Sequence, residues 1–291
     1  MKTLTQNDFS KFENIPTTKF EKSNFRSAFY FLSKEKRNAI LNIYAFFSYL
    51  DEIVDNPAIP ANLTAKNFTQ MKKERLNWWK NQIDFLYSSD YSENQLFPLR
   101  QTIEKFQIPQ EYFHLLVDGI GVDLEKNFYS DVDELLSYCY GVASVVGLIC
   151  VHIFVDSPSQ INENVRQYAI NLGYALQLTN IMRDVYFDAR RGYFYLPQED
   201  LLRFNFSEQD ILACRYDANF ISLMEFQYER TVNYYLLAEK FLANENKKQF
   251  QSAEAMKKIY FNLLQKLRQK KFNIFSQKIS LSTFEKIRAI F

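Results

Sequence analysis

The stretch YALQLTNIMRDVYFDARRGYFYLP, residues 174–197, carries the pattern that decides the fold. Its polar side chains Gln177, Asn180, Asp184 and Asp188 follow one another at steps of three and four residues, which places them on one face of an α-helix. The positions between them are mostly apolar. A stripe of amides and carboxylates among apolar residues is costly to bury without partners. The stretch therefore predicts a polar site inside a helical protein.

A second acidic stretch, YAFFSYLDEIVDN, covers residues 44–56. Asp51 and Asp55 are four residues apart and share one helix face, whereas Glu52 points elsewhere. Their neighbours are largely apolar, so this is not an ordinary solvated surface. Two partly desolvated carboxylates side by side normally require a cation.

The composition favours an all-α fold in a single domain over residues 1–291. The chain has only 6 Gly and 7 Pro, which suits long helices joined by short loops. No G-x-G-x-x-G or G-x-x-x-x-G-K-[ST] string is present, which argues against those nucleotide sites. The formal net charge is +1 and charges of both signs are interspersed, so no nucleic-acid partner is expected.

Cysteine usage and the terminal sequence suggest a cytoplasmic protein. The three cysteines lie in apolar or helical surroundings without C-x-x-C spacing and are expected to stay reduced. No secretory signal is expected in the first residues. The longest apolar run, residues 140–155, is shorter than the ~20 residues that span a bilayer and is expected to be a buried core helix.

Capping residues and prolines predict where the helices begin. Ser23, Ser33, Thr64 and Ser207 are candidate N-caps, as are Asp131 or Asp133 and Ser282 or Thr283. A helix that starts near Pro109 is expected to pass through Asp118 and Asp123. Three long helices are expected over residues 162–188, 217–244 and 250–271.

The two acidic stretches together predict a magnesium and diphosphate site. Magnesium prefers oxygen ligands and commonly uses one or two carboxylates plus substrate phosphates. Two facing D-x-x-x-D helices could hold two or three such ions, which would stabilise a diphosphate as a leaving group. Arginines near the second stretch can donate to phosphate oxygens. A single D-x-x-x-D is usually a solvated helix face, and only the two occurrences together favour the metal site.

At these residues the sequence resembles the squalene/phytoene synthase family of head-to-head prenyl synthases. The resemblance covers most of the chain and is carried by SNFRSAFYFLSKEKRNAILNIYAFFSYLDEIVD, GIGVDLEKNFYSDVDELLSYCYGVASVVGL, LGYALQLTNIMRDVYFDARRGYFYLPQEDL and, more weakly, MKKIYFNLLQKLRQKKFNIF. It implies an isoprenoid-synthase fold, a single helical bundle around a central cavity. It also implies that two identical prenyl diphosphates bind with Mg²⁺ and that a cyclopropyl diphosphate forms.

The resemblance assigns roles to individual residues. Asp51 with Asp55 would be the first metal pair, and Asp184 with Asp188 the second. Gln177, Asn180 and Arg183 match positions that contact substrate or metal. Tyr138 matches a tyrosine that handles the proton or stabilises the cation, and Tyr260 matches a tyrosine that contacts diphosphate. Ser23 and Phe25 match an N-terminal stretch that contacts substrate. Asn180 would also contact metal. A packed core tyrosine is the alternative for Tyr138 and Tyr260.

The chain also departs from the family pattern. The family's Cys-Arg before the first aspartates is replaced by Phe47 and Ser48, and the lost arginine contacts diphosphate. Lys34, Lys36 or Arg37 could compensate for it. Glu52, in place of a second aspartate, is seen in phytoene synthases. Near the C-terminus a family arginine is replaced by Gln277, with Lys278 beside it.

The leading functional hypothesis is condensation of two farnesyl diphosphates to presqualene diphosphate or squalene, because YCYGVASVVGL looks closest to bacterial presqualene diphosphate synthases. The alternatives are a phytoene synthase that uses geranylgeranyl diphosphate and a non-catalytic helical assembly or lipid-binding protein of the same fold. NADPH is expected only if the reaction continues to squalene. The apolar product suggests peripheral membrane contact, and the chain is expected to be a monomer or homodimer. His114 and His152 receive no role.

Overall fold

A computed structural model describes residues 28–60, 63–92 and 96–290. Within these ranges the secondary structure is helical, apart from one isolated parallel bridge between Phe128 and Phe194. The helices are α1 Lys34–Asp55, α2 Ala65–Tyr87, α3 Phe97–Phe106, α4 Gln110–Gly121, α5 Val132–Cys139, α6 Val145–Phe154, α7 Glu163–Ala189, α8 Gln198–Arg203, α9 Glu208–Leu212, α10 Ala218–Leu242, α11 Gln251–Gln269 and α12 Thr283–Ile290. The all-α prediction is confirmed.

Side-chain caps begin several of these helices where the sequence predicted them. Ser33 accepts from the Lys36 amide at 3.3 Å at the start of α1, and Asp131 accepts from the Glu134 amide at 2.9 Å at the start of α5. Thr64, Ser207 and Ser282 accept in the same way. These bonds satisfy backbone donors that a helix leaves unpaired in its first turn. Ser23, also a candidate cap, lies outside the described residues.

The helix that begins after Pro109 is shorter than predicted. It ends at Gly121, and Asp123 lies in a separate 3₁₀ turn, Val122–Leu124. The expectation of one helix through both Asp118 and Asp123 was therefore wrong. Asp118 is on the exposed side of α4, paired with Lys80, whereas Asp123 is turned toward the interior.

The α7 helix lies at the centre of the bundle and packs against α6, α10 and α11. A π-helical segment, Tyr140–Ser144, joins α5 to α6 and packs closely on both α4 and α7. A Cβ on Gly119 would lie 2.7 Å from the Gly141 backbone, and a Cβ on Gly173 would lie 2.5 Å from Ser144 Cα. These glycines therefore allow three elements to approach at backbone distance.

The apolar run in residues 140–155 belongs to this tight packing. In the part of the chain that the structure describes, Val132–Phe154 is the one helical stretch long and apolar enough to cross a membrane, and 56% of its most apolar window is buried in the protein. Ile149 and Ile153 are fully buried, and the stretch contacts α4 and α7. These contacts support the expected core helix.

Candidate active site

The two acidic stretches come together at one end of the bundle. Asp51 and Asp55 lie in the last turns of α1, and Asp184 and Asp188 lie in the last turns of α7. The loop after α7 reaches across to α1, where Arg191 Nη2 is 2.8 Å from Asp55 Oδ1. Both members of this pair are at least half exposed, so the contact is a weak surface ion pair. It places the loop that follows α7 beside the last turn of α1.

Asp184 is bound by two cations. Arg183 contacts both of its carboxylate oxygens, at 2.9 and 2.5 Å, and Lys278 Nζ is 2.8 Å from Oδ1. Burial alone would raise the pKa of Asp184, but the hydrogen bonds and charges of Arg183 and Lys278 outweigh it and hold the pKa below its ordinary value. Asp184 is thus a carboxylate over the whole physiological range.

Asp188 lies in a different electrostatic environment. Burial, and then repulsion from the Asp184 carboxylate one turn earlier, raise the pKa of Asp188 to about 7. The charges of Arg191, Lys278 and Arg183 offset only part of this increase. The protein therefore holds a carboxylate that is unfavourable to ionise, which a divalent cation would stabilise.

The donor set fits magnesium. Asn180 Oδ1 is buried and has no hydrogen-bond partner among the described residues, although an acceptor in that position normally has one. Asn180 lies one turn before Asp184 on the same helix face, so its oxygen adds to the carboxylate oxygens that hard cations prefer. Among the described residues, no three His, Cys, Asp or Glu side chains are clustered tightly enough to hold a metal alone. Substrate phosphates would have to complete the coordination.

A cavity of about 360 Å³ extends from the acidic end into the bundle. Ser48, Asp51, Gln177 and Asn180 form its polar mouth, and the remainder of the wall is mainly apolar. The volume lies in the range of small-molecule sites. The aromatic side chains on the wall are Phe29, Tyr44, Phe47, Phe154, Tyr168 and Tyr260. Such a wall would exclude water, and its ring faces could stabilise a carbocation.

The two tyrosines singled out in the sequence occupy different places. Tyr260 lines the cavity on α11, across from the acidic end of α7. Tyr138 is buried in α5, and its hydroxyl donates to Asp123 Oδ2 at 3.0 Å. Ser23 and Phe25, predicted to contact substrate, lie outside the described residues.

The expected replacements for the missing arginine at Ser48 are in the wrong place. Lys36 and Arg37 lie near the opposite end of α1, ~17 Å from Ser48 at about 1.5 Å per residue. Lys36 donates to Phe154 O at 2.7 Å and pairs with Asp156. Lys34 is in the first turn and is farther still. Cations that do lie at the acidic end, among the described residues, include Lys72, Arg183, Arg191 and Lys278.

Sequence reasoning missed Asp123, Tyr195 and the position of Arg191. Tyr195 donates to Asp123 Oδ1 at 3.1 Å, so Asp123 accepts from two phenols. The tyrosines of the GYFYLP segment gave a weak signal, since polar aromatic residues directly follow the acidic stripe. No local spacing connects them with Asp123.

A family model described as squalene/phytoene synthase matches residues 19–285. This chain belongs to the squalene/phytoene synthase family. A phytoene synthase of Arthrospira platensis is 31% identical over 264 residues, covering 88% of this chain and 82% of the relative. A 15-cis-phytoene synthase of Synechococcus elongatus is 30% identical, covering 88% and 83%.

Solved structures agree on the fold of this squalene/phytoene synthase family member. A squalene synthase from Alicyclobacillus acidocaldarius superposes with a TM-score of 0.79 at 20% identity, covering 92% of this chain and 96% of the other. The isoprenoid-synthase fold predicted from the resemblance is confirmed. As a member of this family, the protein is a prenyltransferase of the squalene/phytoene synthase type.

Proposed function

We propose that the protein condenses two molecules of one prenyl diphosphate head to head, with ionisation of a diphosphate bound between α1 and α7. The observation that carries this proposal is the polar mouth of the cavity, where an aspartate of α1 and the unpartnered Asn180 oxygen of α7 lie above an apolar wall. A diphosphate with a long apolar tail matches both parts of such a site.

The residues at the mouth of the cavity would have different roles in binding the diphosphate. Asp51, Asp55, Asn180, Asp184 and Asp188 would hold Mg²⁺, which supplies positive charge to the leaving diphosphate. Arg191 pairs with Asp55 and Lys278 pairs with Asp184, and both cations could donate to phosphate oxygens bound at the mouth. Gln177 lines the mouth, and its side-chain amide could donate hydrogen bonds to the phosphates.

The apolar wall below the mouth would protect the carbocation. Phe47 lies one turn before Asp51 on α1, and Tyr44 lies one turn farther in. A cation formed next to the diphosphate would therefore meet aromatic faces and little water. The attacking double bond of the second substrate would lie in the same space.

We favour geranylgeranyl diphosphate as the substrate. The relatives described above, at 30–31% identity over most of the chain, are named phytoene synthases. Farnesyl diphosphate, the leading hypothesis from the sequence, is the second candidate and stays a prediction. It is supported by the depth of the cavity.

The depth of the cavity follows from the helices that line it. Wall positions extend from Asp51 to Ile40 on α1, which is ~17 Å at about 1.5 Å per residue. Bonds of about 1.5 Å in a zigzag chain advance roughly 1.2 Å each, so an extended farnesyl tail is ~14 Å long and a geranylgeranyl tail ~19 Å. The shorter tail fits straight, whereas the longer one must bend once.

Incubation with Mg²⁺ and each diphosphate in turn, with and without NADPH, tests both levels of the proposal. Mass spectrometry should detect a C40 product from geranylgeranyl diphosphate at a higher kcat/KM than a C30 product from farnesyl diphosphate. A preference for the shorter substrate would reverse the choice. No coupled product from either substrate, at Mg²⁺ concentrations that protect the protein from thermal unfolding, would refute the condensation itself.

A further inference from the structure

A lysine lies within the apolar stripe of α2. Steps of three and four residues connect four buried side chains of this helix, Phe68, Lys72, Leu76 and Trp79. Lys72 is only 8% exposed, and lysine is almost never buried to this extent without partners. An apolar side chain would fill the same position without the cost of removing a charge from water. Lys72 must therefore make interactions that offset its burial.

The Lys72 ammonium binds the end of α1. Its Nζ donates to Val54 O at 2.6 Å and to Asn56 O at 2.8 Å, and it lies 4.7 Å from the centroid of the Phe68 ring. A helix leaves its last carbonyls without intrahelical partners, and a cation is favourable at this negative end of the helix dipole. Lys72 thus caps α1 from a neighbouring helix.

The two accepting carbonyls lie on either side of Asp55. Val54 precedes Asp55 in the chain and Asn56 follows it, so one ammonium holds the backbone on both sides of residue 55. Because both carbonyls are held, the backbone torsions between them have little freedom. These torsions set the direction of the Asp55 Cα–Cβ bond, and therefore the direction in which its carboxylate leaves the helix.

The Asp55 side chain itself is held more weakly. Its ion pair with Arg191 is at least half exposed on both sides, and such pairs contribute little. Asp55 also lies at the C-terminal end of α1, where the helix dipole disfavours a carboxylate. Burial lowers the pKa of Lys72 and the charge of Asp55 raises it, so the two charges are near one another. The buried bonds from Lys72 are therefore the stronger of these two restraints on residue 55.

We propose that Lys72 is a positioning residue of the metal site, which orients Asp55 toward Mg²⁺ by holding the backbone on both sides of it. Lys72 is not among the residues that line the cavity, so it acts through Asp55. The inference rests on the function proposed above, in which Asp55 is a ligand of Mg²⁺. Loss of a group that orients a metal ligand typically weakens metal binding about 10–100-fold.

The test compares Lys72→Met with Lys257→Met, a matched control on α11. Both lysines are 8% exposed, but Lys257 pairs with Glu239 and Glu254 and not with a helix end. The Tm of each variant is measured without divalent cations and then with increasing Mg²⁺ plus inorganic diphosphate. The increase over each variant's own metal-free Tm reports binding separately from folding.

We expect Lys72→Met to need about tenfold more Mg²⁺ and diphosphate than the wild type for the same increase in Tm. Lys257→Met should stay within about twofold of the wild type. In an Asp55→Asn background, Lys72→Met should weaken binding by no more than about twofold, because both changes act on one ligand. A lysine with a purely structural role would lower the metal-free Tm and leave this protection unchanged.

A second substitution separates orientation from charge. Lys72→Gln removes the charge but keeps an amide donor on a stem one bond shorter. By charge alone, removal of a cation near a metal site would tighten Mg²⁺ binding, whereas loss of orientation weakens it. Binding to Lys72→Gln should therefore be weaker than to the wild type and no weaker than to Lys72→Met. This variant also decides the matter if Lys72→Met does not fold.

Several results would overturn the inference. These are protection of Lys72→Met that equals or exceeds that of the wild type, an equal loss in Lys257→Met, a full further loss in the Asp55→Asn background, or binding to Lys72→Gln as tight as to the wild type. A wild-type protein that Mg²⁺ and inorganic diphosphate do not protect would contradict the metal site of the proposed function, and the inference with it.

Discussion

Replacing Asp188 by Asn should stabilise the metal-free protein at alkaline pH. The Asp188 carboxyl has a pKa of about 7 in the folded protein against an ordinary value of 3.8. Between these values the folded protein binds more protons than the unfolded chain does, so the free energy of unfolding falls as pH rises. This loss begins above pH 4 and is complete somewhat above pH 7.

The magnitude follows from the same shift. A difference of about three pKa units corresponds to about 4 kcal/mol at pH 8.5, and solvent that reaches the partly exposed carboxyl reduces this to roughly 2–4 kcal/mol. Asn keeps the shape of the side chain and removes the charge. For a chain of this size, that gain raises Tm by roughly 3–7 °C.

The assay is urea or thermal unfolding without divalent cations at pH 4.5 and 8.5. The variant and wild type should have similar stability at pH 4.5, and the variant should be more stable at pH 8.5. Mg²⁺ with inorganic diphosphate should stabilise the wild type at pH 8.5 and the variant much less. A stability difference that is the same at both pH values would refute the reasoning, as would equal protection of both proteins.

Three further predictions concern binding at the mouth and packing below it. Lys278→Met removes a cation that contacts Asp184 and should raise KM for the prenyl diphosphate about tenfold in a steady-state assay. Lys240→Met, an exposed change on α10, is the control and should leave KM unchanged. Ser48→Arg restores a guanidinium at the mouth and should tighten binding of Mg²⁺-diphosphate about tenfold by calorimetry; binding no tighter than that of Ser48→Ala would contradict this. Gly119→Ala should lower the free energy of unfolding by about 1–3 kcal/mol, because its Cβ would meet backbone atoms at 2.7 Å. Gly121→Ala is the control and should be neutral or mildly stabilising, because a Cβ there meets only a flexible side chain at 3.4 Å.

The sequence by itself determined the helices and the acidic stripes. Capping residues such as Ser33 and Asp131 act within four residues, and the spacing of Asp184 and Asp188 is a property of one helix. Such short-range relations depend on backbone geometry that every α-helix shares. The scarcity of glycine and proline then left few alternatives to an all-α fold.

Only the tertiary structure decided how the acids are partnered. Lys278 contacts Asp184 across more than ninety positions of the chain, and Arg191 reaches back to Asp55. Asp123 meets Tyr138 and Tyr195 because the 3₁₀ turn, α5 and the segment after α7 converge. No local period encodes these contacts, since they depend on how closely the glycine-lined helices pack. The same packing gives Asp188 its raised pKa, which spacing alone could not reveal.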